Sequence, residues 1–321
     1  MMYSQLRAMT TQQKVLGNVA FCCGVTIWAT MFPSTEYLLS AWDPVTIAFV
    51  RLGIGGLILV CIFAAFEGLR INTSKLPWRK VFTLGILGVS GSTVLVTLGI
   101  KFSTSLTSAL VATTGPILAT LLLRLVYSEP LRKGIFVGIT LAVMGGIFAV
   151  MGGNRQMNYT QGGEILIVFG ILIWHWYSHN CQRWLADISQ VGISALTVTA
   201  GALGLGIYIV AGALFKFHTI QIGTTQTEWL IVGWLSIGPA CLSIFLWHFG
   251  VSRIGVTVGS MYQNLVPIVV GAIGITLGKY PNKLHLLGGI LIISGVLYSQ
   301  VRDAYNNEWF TNIVAKYIKD R

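Results

Sequence analysis

The sequence predicts an all-α, polytopic membrane protein with ten transmembrane helices in two inverted five-helix repeats. Three observations predict it. Only 10% of the 321 residues are charged and 54% are apolar, against about 25% charged in an average soluble protein. Ten apolar runs are long enough to cross a bilayer. The chain also matches itself at an offset of 151 residues.

Low charge with a mean hydropathy of +0.74 excludes an ordinary soluble globule. It excludes disorder too, which needs low hydrophobicity and high net charge. A helix needs about 20 mostly apolar residues to cross the hydrocarbon core. Runs of that kind lie at roughly 16–40, 44–66, 80–100, 104–126, 133–151, 163–184, 191–214, 229–250, 256–278 and 284–301. Backbone polar groups in lipid must be satisfied within the chain, so runs of this length read as helices. The first run is too long for a cleavable signal, has no small-residue cleavage site and carries Pro33 near its end. It reads as the first span.

Positive charge sets the expected orientation. Of 21 Lys and Arg residues, 15 fall in segments on the side of the N-terminus and five on the other, with Arg51 inside a span. By the positive-inside rule both termini are cytoplasmic, in the cell (inner) membrane. The net charge of +11 therefore reads as orientation in a lipid bilayer and not as a nucleic-acid partner. The expected division is a cytoplasmic segment 1–15, a first repeat 16–151, an external linker 152–162, a second repeat 163–302 and a tail 303–321. In the tail, Trp309, Phe310, Ile313, Val314 and Tyr317 recur at helical spacing beside Lys316, Lys319 and Arg321. They suit an amphipathic helix on the cytoplasmic interface or a frayed end. The five cysteines all lie in apolar runs and read as packing residues.

Residues 104–150 slide onto 255–301 without gaps. Pro116 meets Pro267, Pro130 meets Pro281, Gly138 meets Gly289, Ile117 meets Ile268 and Ile139 meets Ile290. Each unit holds a span with a central Pro, a short turn ending in Pro, and a Gly-rich span. Five spans per half is odd, so the second half starts from the opposite face. Inverted repeats are a signature of secondary transporters, with substrate bound near the midplane.

At these residues the chain resembles the EamA-type transporters of the drug/metabolite transporter superfamily. The first span has Trp28 followed by ATMFP, and the second opens at Asp43-Pro44 and continues FVRL around Arg51. The fourth and fifth read TTGPILATLLL and YSEPLRKGIFVGITLAVMGG, with Glu129, Gly138, Gly145 and Gly146 on the family's Pro…Glu…Gly pattern. The ninth and tenth repeat this as NLVPIVVGAIG and GKYPNKLHLLGGILIISGV, with Tyr280 where the family usually has Glu. The resemblance covers 14–302. It implies ten spans and transport, often outward, of amino acids, vitamin- or nucleobase-like metabolites or organic cations.

Ionisable groups within spans default to functional candidates. Arg51 lies about two turns into the second span. It suits a substrate carboxylate, or it bonds loop carbonyls or Glu36, or snorkels to the surface. His175 and His179 are four residues apart and share a helical face. They fit interhelical hydrogen bonds, a cavity wall with proton coupling, or half of a metal site. Glu36 is a further coupling candidate. Polar stripes add Thr30 in the first span, Thr93 and Thr97 in the third, and Ser236, Ala240, Ser243 and Trp247 in the eighth. In the ninth, Tyr262, Gln263 and Asn264 stand one turn before Pro267, as Thr113 and Thr114 precede Pro116. Proline frees a carbonyl one turn earlier, which a polar ligand or local groups can satisfy. Trp28, Trp174, Trp247, His248 and Tyr262 offer aromatic walls for a ring or a cation.

The expectation is a secondary transporter for a small molecule, working by alternating access, more as an exporter than an importer or facilitative exchanger. No Walker A sequence, HExxH motif or partnered nucleophile is present, so no cofactor and no enzymatic role is expected. A non-transporting scaffold or an intramembrane enzyme is the remote alternative. The protein is expected as a monomer or a homodimer.

Overall fold

The computed structural model describes residues 10–67, 76–128, 135–153 and 162–306. Among them the chain is all helical. The amphipathic tail beyond residue 306 and the turn at Glu129-Pro130 lie outside the described residues.

The first apolar run forms α1 (Thr11–Ala29) and α2 (Met31–Leu38). Thr10 opens α1 with a capping box, its hydroxyl accepting from the Gln13 N–H while the Gln13 side chain accepts from the Thr10 N–H. The second run is α3 (Pro44–Glu67), capped by Asp43, whose Oδ1 accepts from the N–H groups of Val45 at 3.1 Å and Thr46 at 2.9 Å. The third run is α4 (Trp78–Thr83), a π-helical stretch at Leu84–Gly91, and α5 (Ser92–Lys101). The fourth is α6 (Ser105–Ala112) and α7 (Gly115–Tyr127), bent by 48°. The fifth is α8 (Ile135–Gly153).

In the second half, α9 (Gly163–Trp184) and α10 (Gln190–Leu214) follow. Next come α11 (Gln226–Leu235), a second π-helical stretch at Ser236–Leu242, and α12 (Ser243–Met261), which breaks at Gly255 with φ 83°. A 3-10 turn at Tyr262–Leu265 leads into α13 (Val266–Thr276), and α14 (Lys283–Asn306) ends the described chain. Five helical runs are long and apolar enough to cross a membrane, or six if α6 and α7 form one broken span.

Breaks have identifiable causes. Pro116 and Pro267 occupy the first turns of α7 and α13, where a missing N–H costs nothing. Before α7, Thr113 and Thr114 turn their hydroxyls back onto the Leu110 and Val111 carbonyls at 2.6 and 2.7 Å. Pro239 sits inside the second π stretch, where it cannot donate to the preceding turn. In the first π stretch, a Cβ on Gly88 would lie 2.6 Å from the ring of Tyr177. Only glycine allows that ring to pack there.

Helix contacts come in matching sets. α3 packs on α10, α8 on α14 and α6 on α13; α1 packs on α12 as α5 packs on α9; and the second π stretch packs on α3 as the first packs on α10. Glycines set the α8–α14 crossing. A Cβ on Gly145 would lie 2.6 Å from the Gly288 carbonyl, and one on Gly295 would lie 2.8 Å from the Gly138 carbonyl. Seven residues forward on one helix match seven back on the other, so the two run antiparallel. This small-residue face is therefore buried within the chain. Cys181 and Cys241 are packed as expected, whereas Cys22, Cys23 and Cys61 lie on the exposed surface.

At the end of the bundle that carries Asp43, several carboxylates join distant parts of the chain. Asp43 Oδ2 accepts from the Gln221 N–H at 3.0 Å, and its Oδ1 lies 3.3 Å from His218 Nε2. Glu36 pairs with Lys279 at 3.2 Å and accepts from the Ser105 N–H. Glu164 accepts from the Ser103 hydroxyl at 2.8 Å. At the opposite end the ties are Tyr262 to Asn18 at 2.7 Å, Asn180 to Tyr127 at 2.6 Å, and Arg183 over the Tyr127 ring at 5.1 Å.

Candidate functional site

The helices line a partly open cavity of about 60 Å³, room for several waters. Its wall takes Val25, Trp28 and Met31 from α1 and α2, Arg51 and Leu52 from α3, and Ser92, Thr93 and Val96 from α5. The other side supplies Gly170, Ile171 and Trp174 from α9, Pro239, Ala240, Ser243, Ile244 and Trp247 from the second π stretch and α12, and Gln263 from the 3-10 turn. The second π stretch thus lines the cavity, at Pro239 and Ala240, and the first ends one residue before Ser92. An added residue per turn widens a helix and re-aims the side chains beside it.

The aromatic wall is interlocked. Trp174 and Trp247 have ring centroids 6.1 Å apart, and Phe21 meets the Trp247 ring edge-on at 5.2 Å. The Trp247 indole N–H donates to the Ser178 hydroxyl at 2.9 Å. Behind Trp174, the Tyr177 hydroxyl bonds Thr197 at 2.7 Å and His248 at 2.8 Å. These bonds fix the ring planes, so the wall is rigid where a ligand would lie against it.

Two polar groups stand out against this apolar lining. Arg51 is 5% exposed. Its Nη1 lies 3.4 Å from the Met31 sulfur, and its Nε has no partner. No carboxylate among the described residues pairs with it; Glu36 is engaged by Lys279 instead. The second group is Gln263, 2% exposed, whose carboxamide oxygen packs beside Gly115 against His175. Beside it His175 is 1% exposed.

Of the residues singled out from the sequence, Trp28, Arg51, Thr93, Trp174, Ala240, Ser243, Trp247 and Gln263 converge on the cavity. His175 lies just behind Gln263, its ring 6.4 Å from that of Trp247. The others lie outside the lining. Thr30 accepts from the Trp234 indole N–H at 2.9 Å and Thr97 donates to the Thr93 carbonyl at 2.8 Å. His179 packs on the Tyr127 ring at 4.3 Å, Tyr262 stacks on Phe21 at 5.6 Å, and Asn264 keeps an unpartnered Oδ1 away from the cavity. Glu36 sits at the Asp43 end. Their polar groups are mostly spent locally, which a stripe of residue types does not reveal. The two histidines part company: one faces the core beside the cavity and the other faces Tyr127. Among the described residues no group of three or more His, Cys, Asp or Glu side chains could hold a metal ion.

Met31, Ser92, Pro239 and Leu52 also line the cavity without having been singled out. Met31 lies three residues beyond Trp28 on the same helical face, and Leu52 is next to Arg51. Those were the available signals.

Comparison with known proteins fits this architecture. A solved structure with 20% sequence identity superposes with a TM-score of 0.67, covering 92% of this chain and 99% of its own; at that identity it shows the fold alone. The uncharacterized transporter YyaM of Bacillus subtilis is 24% identical over 83% of this chain and 87% of its own length. The aromatic amino acid exporter YddG of Ancylobacter novellus is 23% identical over 84% of this chain and 92% of its own length. The model of the EamA-like transporter family matches twice, over residues 15–151 and 161–299. An all-helical chain with several membrane-length apolar helices, matched along nearly its whole length by that model, belongs to the EamA-like transporter family: it is a multi-pass membrane transporter of a small molecule, and not an enzyme.

Proposed function

We propose that this transporter exports a small amino-acid-like solute, a carboxylate bearing an apolar or aromatic group, by alternating access through the central cavity. The observation that carries this reading is Arg51. A guanidinium buried without a carboxylate among the described residues loses its hydration and gains only a thioether contact. A ligand carboxylate supplies the missing bidentate partner. The rings of Trp28, Trp174 and Trp247 suit an apolar or aromatic body. An organic cation fits poorly, because the lining holds Arg51 and no acid. Export follows the printed function of the Ancylobacter relative.

The same reading uses ten crossings in two inverted five-helix repeats, 16–151 and 163–302, with both termini cytoplasmic. The antiparallel α8–α14 crossing and the paired π stretches support it. So does Gln226–Thr276, whose 51 residues would extend about 75 Å as one helix and so make two crossings, divided at Gly255. One chain completes the cavity, so a monomer suffices for transport. His175, buried and titratable beside the site, is the candidate for proton coupling; flux that ignores an imposed pH gradient would remove it from that role.

The test is thermal unfolding of the purified protein with millimolar L-phenylalanine, 3-phenylpropionate, phenethylamine and L-phenylalanine methyl ester. At 100 times its dissociation constant a ligand adds about 2.7 kcal/mol. The two acids should stabilise, and the amine and the ester should not. Stabilisation by the amine and ester equal to that by the acids would overturn the proposal. Counterflow in proteoliposomes then measures transport itself.

A further inference from the structure

We infer that Thr93 is a specificity-determining residue: its hydroxyl oxygen, left unspent at the cavity wall on the level of Arg51, accepts a hydrogen bond from the substrate's ammonium group. The inference rests on the carboxylate reading of Arg51 and adds a second pole to the same cavity.

The first observation is that this hydroxyl is free and reachable. Thr93 lines the cavity and is 8% exposed. Its Oγ1 has no hydrogen-bond partner among the described residues, and it is not sealed in the packing as the Ser90 hydroxyl is. The local backbone explains why. A helical threonine usually turns its hydroxyl back onto the carbonyl three or four residues earlier, as Thr97, Thr120 and Thr197 do at 2.8, 2.9 and 2.7 Å. For Thr93 the carbonyl four residues back is that of Val89. It lies in the π stretch and already accepts from both the N–H and the hydroxyl of Ser92, which fills its two lone pairs.

The second observation is what the rest of the lining offers an ammonium. Ser92 and Ser243 turn their hydroxyls onto the Val89 and Gly24 carbonyls. The carboxamide oxygen of Gln263 packs against His175. Arg51 and the indoles of Trp28, Trp174 and Trp247 can only donate. Thr93 is thus the lining hydroxyl with nothing else to do.

The third observation is position. Arg51 stands seven residues into α3 from Pro44, and Thr93 stands eight residues before the Lys101 end of α5. At 1.5 Å per residue both lie about 10–12 Å from the Asp43 end. A Cβ on Gly170, seven residues into α9 from that end, would lie 3.1 Å from the Ser92 carbonyl, which agrees with this level. Helices α3 and α5 pack together, with axes about 8–10 Å apart for neighbours of this kind. An α-amino acid, with ammonium and carboxylate about 3 Å apart and a hydrogen bond of about 2.9 Å at each end, bridges up to about 9 Å. It can therefore hold Arg51 with one group and Thr93 with the other. A simple carboxylic acid reaches Arg51 and leaves Thr93 unpaired.

The test compares L-phenylalanine with 3-phenylpropionate, which lacks only the amino group, by ligand-induced thermal shift and counterflow. The wild-type protein should bind L-phenylalanine about tenfold more tightly, the yield of one hydrogen bond to a charged group. Thr93→Val keeps the shape and removes the oxygen; it should abolish that preference while leaving 3-phenylpropionate within about threefold. Thr93→Ser keeps the hydroxyl and should keep the preference. Equal binding of the two acids by wild type, a preference that survives Thr93→Val, or equal weakening of both acids in that variant would each overturn the inference. Should Thr93→Val fail to fold, Thr93→Ala is read in the same way. Failure of the carboxylate reading is distinct: wild type would then bind neither acid, and the inference would fall with it.

Discussion

Replacing Arg51 with Met separates a substrate-binding cation from a structural one, because the two roles predict opposite signs for stability. Arg51 is 5% exposed, and its only described side-chain contact is the Met31 sulfur at 3.4 Å, a weak acceptor. Removing a buried charge with so little compensation, at similar volume, should stabilise the ligand-free protein by about 1–3 kcal/mol. For a chain of this size that raises the melting temperature by about 2–4 °C per kcal/mol. Binding should move the other way. A hydrogen bond from a charged group contributes about 1.5–3 kcal/mol, so affinity for a carboxylate ligand should fall about 10- to 150-fold. Unfolding of the detergent-solubilised protein reads the first effect. Quenching of Trp28, Trp174 and Trp247 fluorescence on titration, with counterflow in liposomes, reads the second. A variant that melts lower and transports as well as wild type would refute the reasoning, since Arg51 would then be a scaffold post.

Four other outcomes follow from the geometry. Trp247→Ala, which loses the bond to Ser178 and the Phe21 and Trp174 contacts, should cost about 3–5 kcal/mol of stability and reduce transport; Trp174→Ala should reduce transport as well. Unchanged kinetics in both would end the aromatic-wall argument. Gly145→Leu places a Cβ within 2.6 Å of the Gly288 carbonyl and should destabilise by at least about 1–3 kcal/mol, read as a lower melting temperature. Asp43→Ala removes the α3 cap and the tie to Gln221; about 1 kcal/mol should be lost, and limited proteolysis between residues 215 and 225 should quicken. A reporter fused after Arg321 should be active only on the cytoplasmic side.

Much of the helical layout was legible because hydropathy and proline placement act locally. Pro116 and Pro267 mark breaks wherever they occur in an apolar run, and Gly138, Gly145, Gly288 and Gly295 announce a close crossing by composition alone. The π stretches were not legible. Leu84–Gly91 has no proline, and the close contact of Gly88 with the Tyr177 ring involves a residue nearly ninety positions away. The break at Gly255, by contrast, falls in the gap at Ser252-Arg253 between the runs 229–250 and 256–278 and was legible. At the site, the cavity-facing set Trp28, Arg51, Thr93, Trp174, Trp247 and Gln263 could be read from residue types out of place in lipid. Which stripe residues fail to reach the cavity could not. Thr97 and Thr30 differ from Thr93 only in which backbone carbonyl or indole they find, and that depends on helix rotation. His175 and His179 share a helical face, yet their neighbours separate them.

The ties at the two ends of the bundle differ in kind, and salt will tell them apart. At the Asp43 end several of the described links between distant segments run through carboxylates, among them the Glu36–Lys279 pair, whose lysine is 65% exposed. At the other end they run through amides, phenols and a guanidinium lying over a ring. Mobile ions screen the exposed pair over a Debye length of about 8 Å at physiological ionic strength and leave neutral hydrogen bonds nearly untouched. A vesicle with concentrated salt on one side only is therefore not equivalent to its mirror image. Salt facing Glu36 loosens the closure of that mouth, and salt facing Asn18 leaves the opposite one as it was.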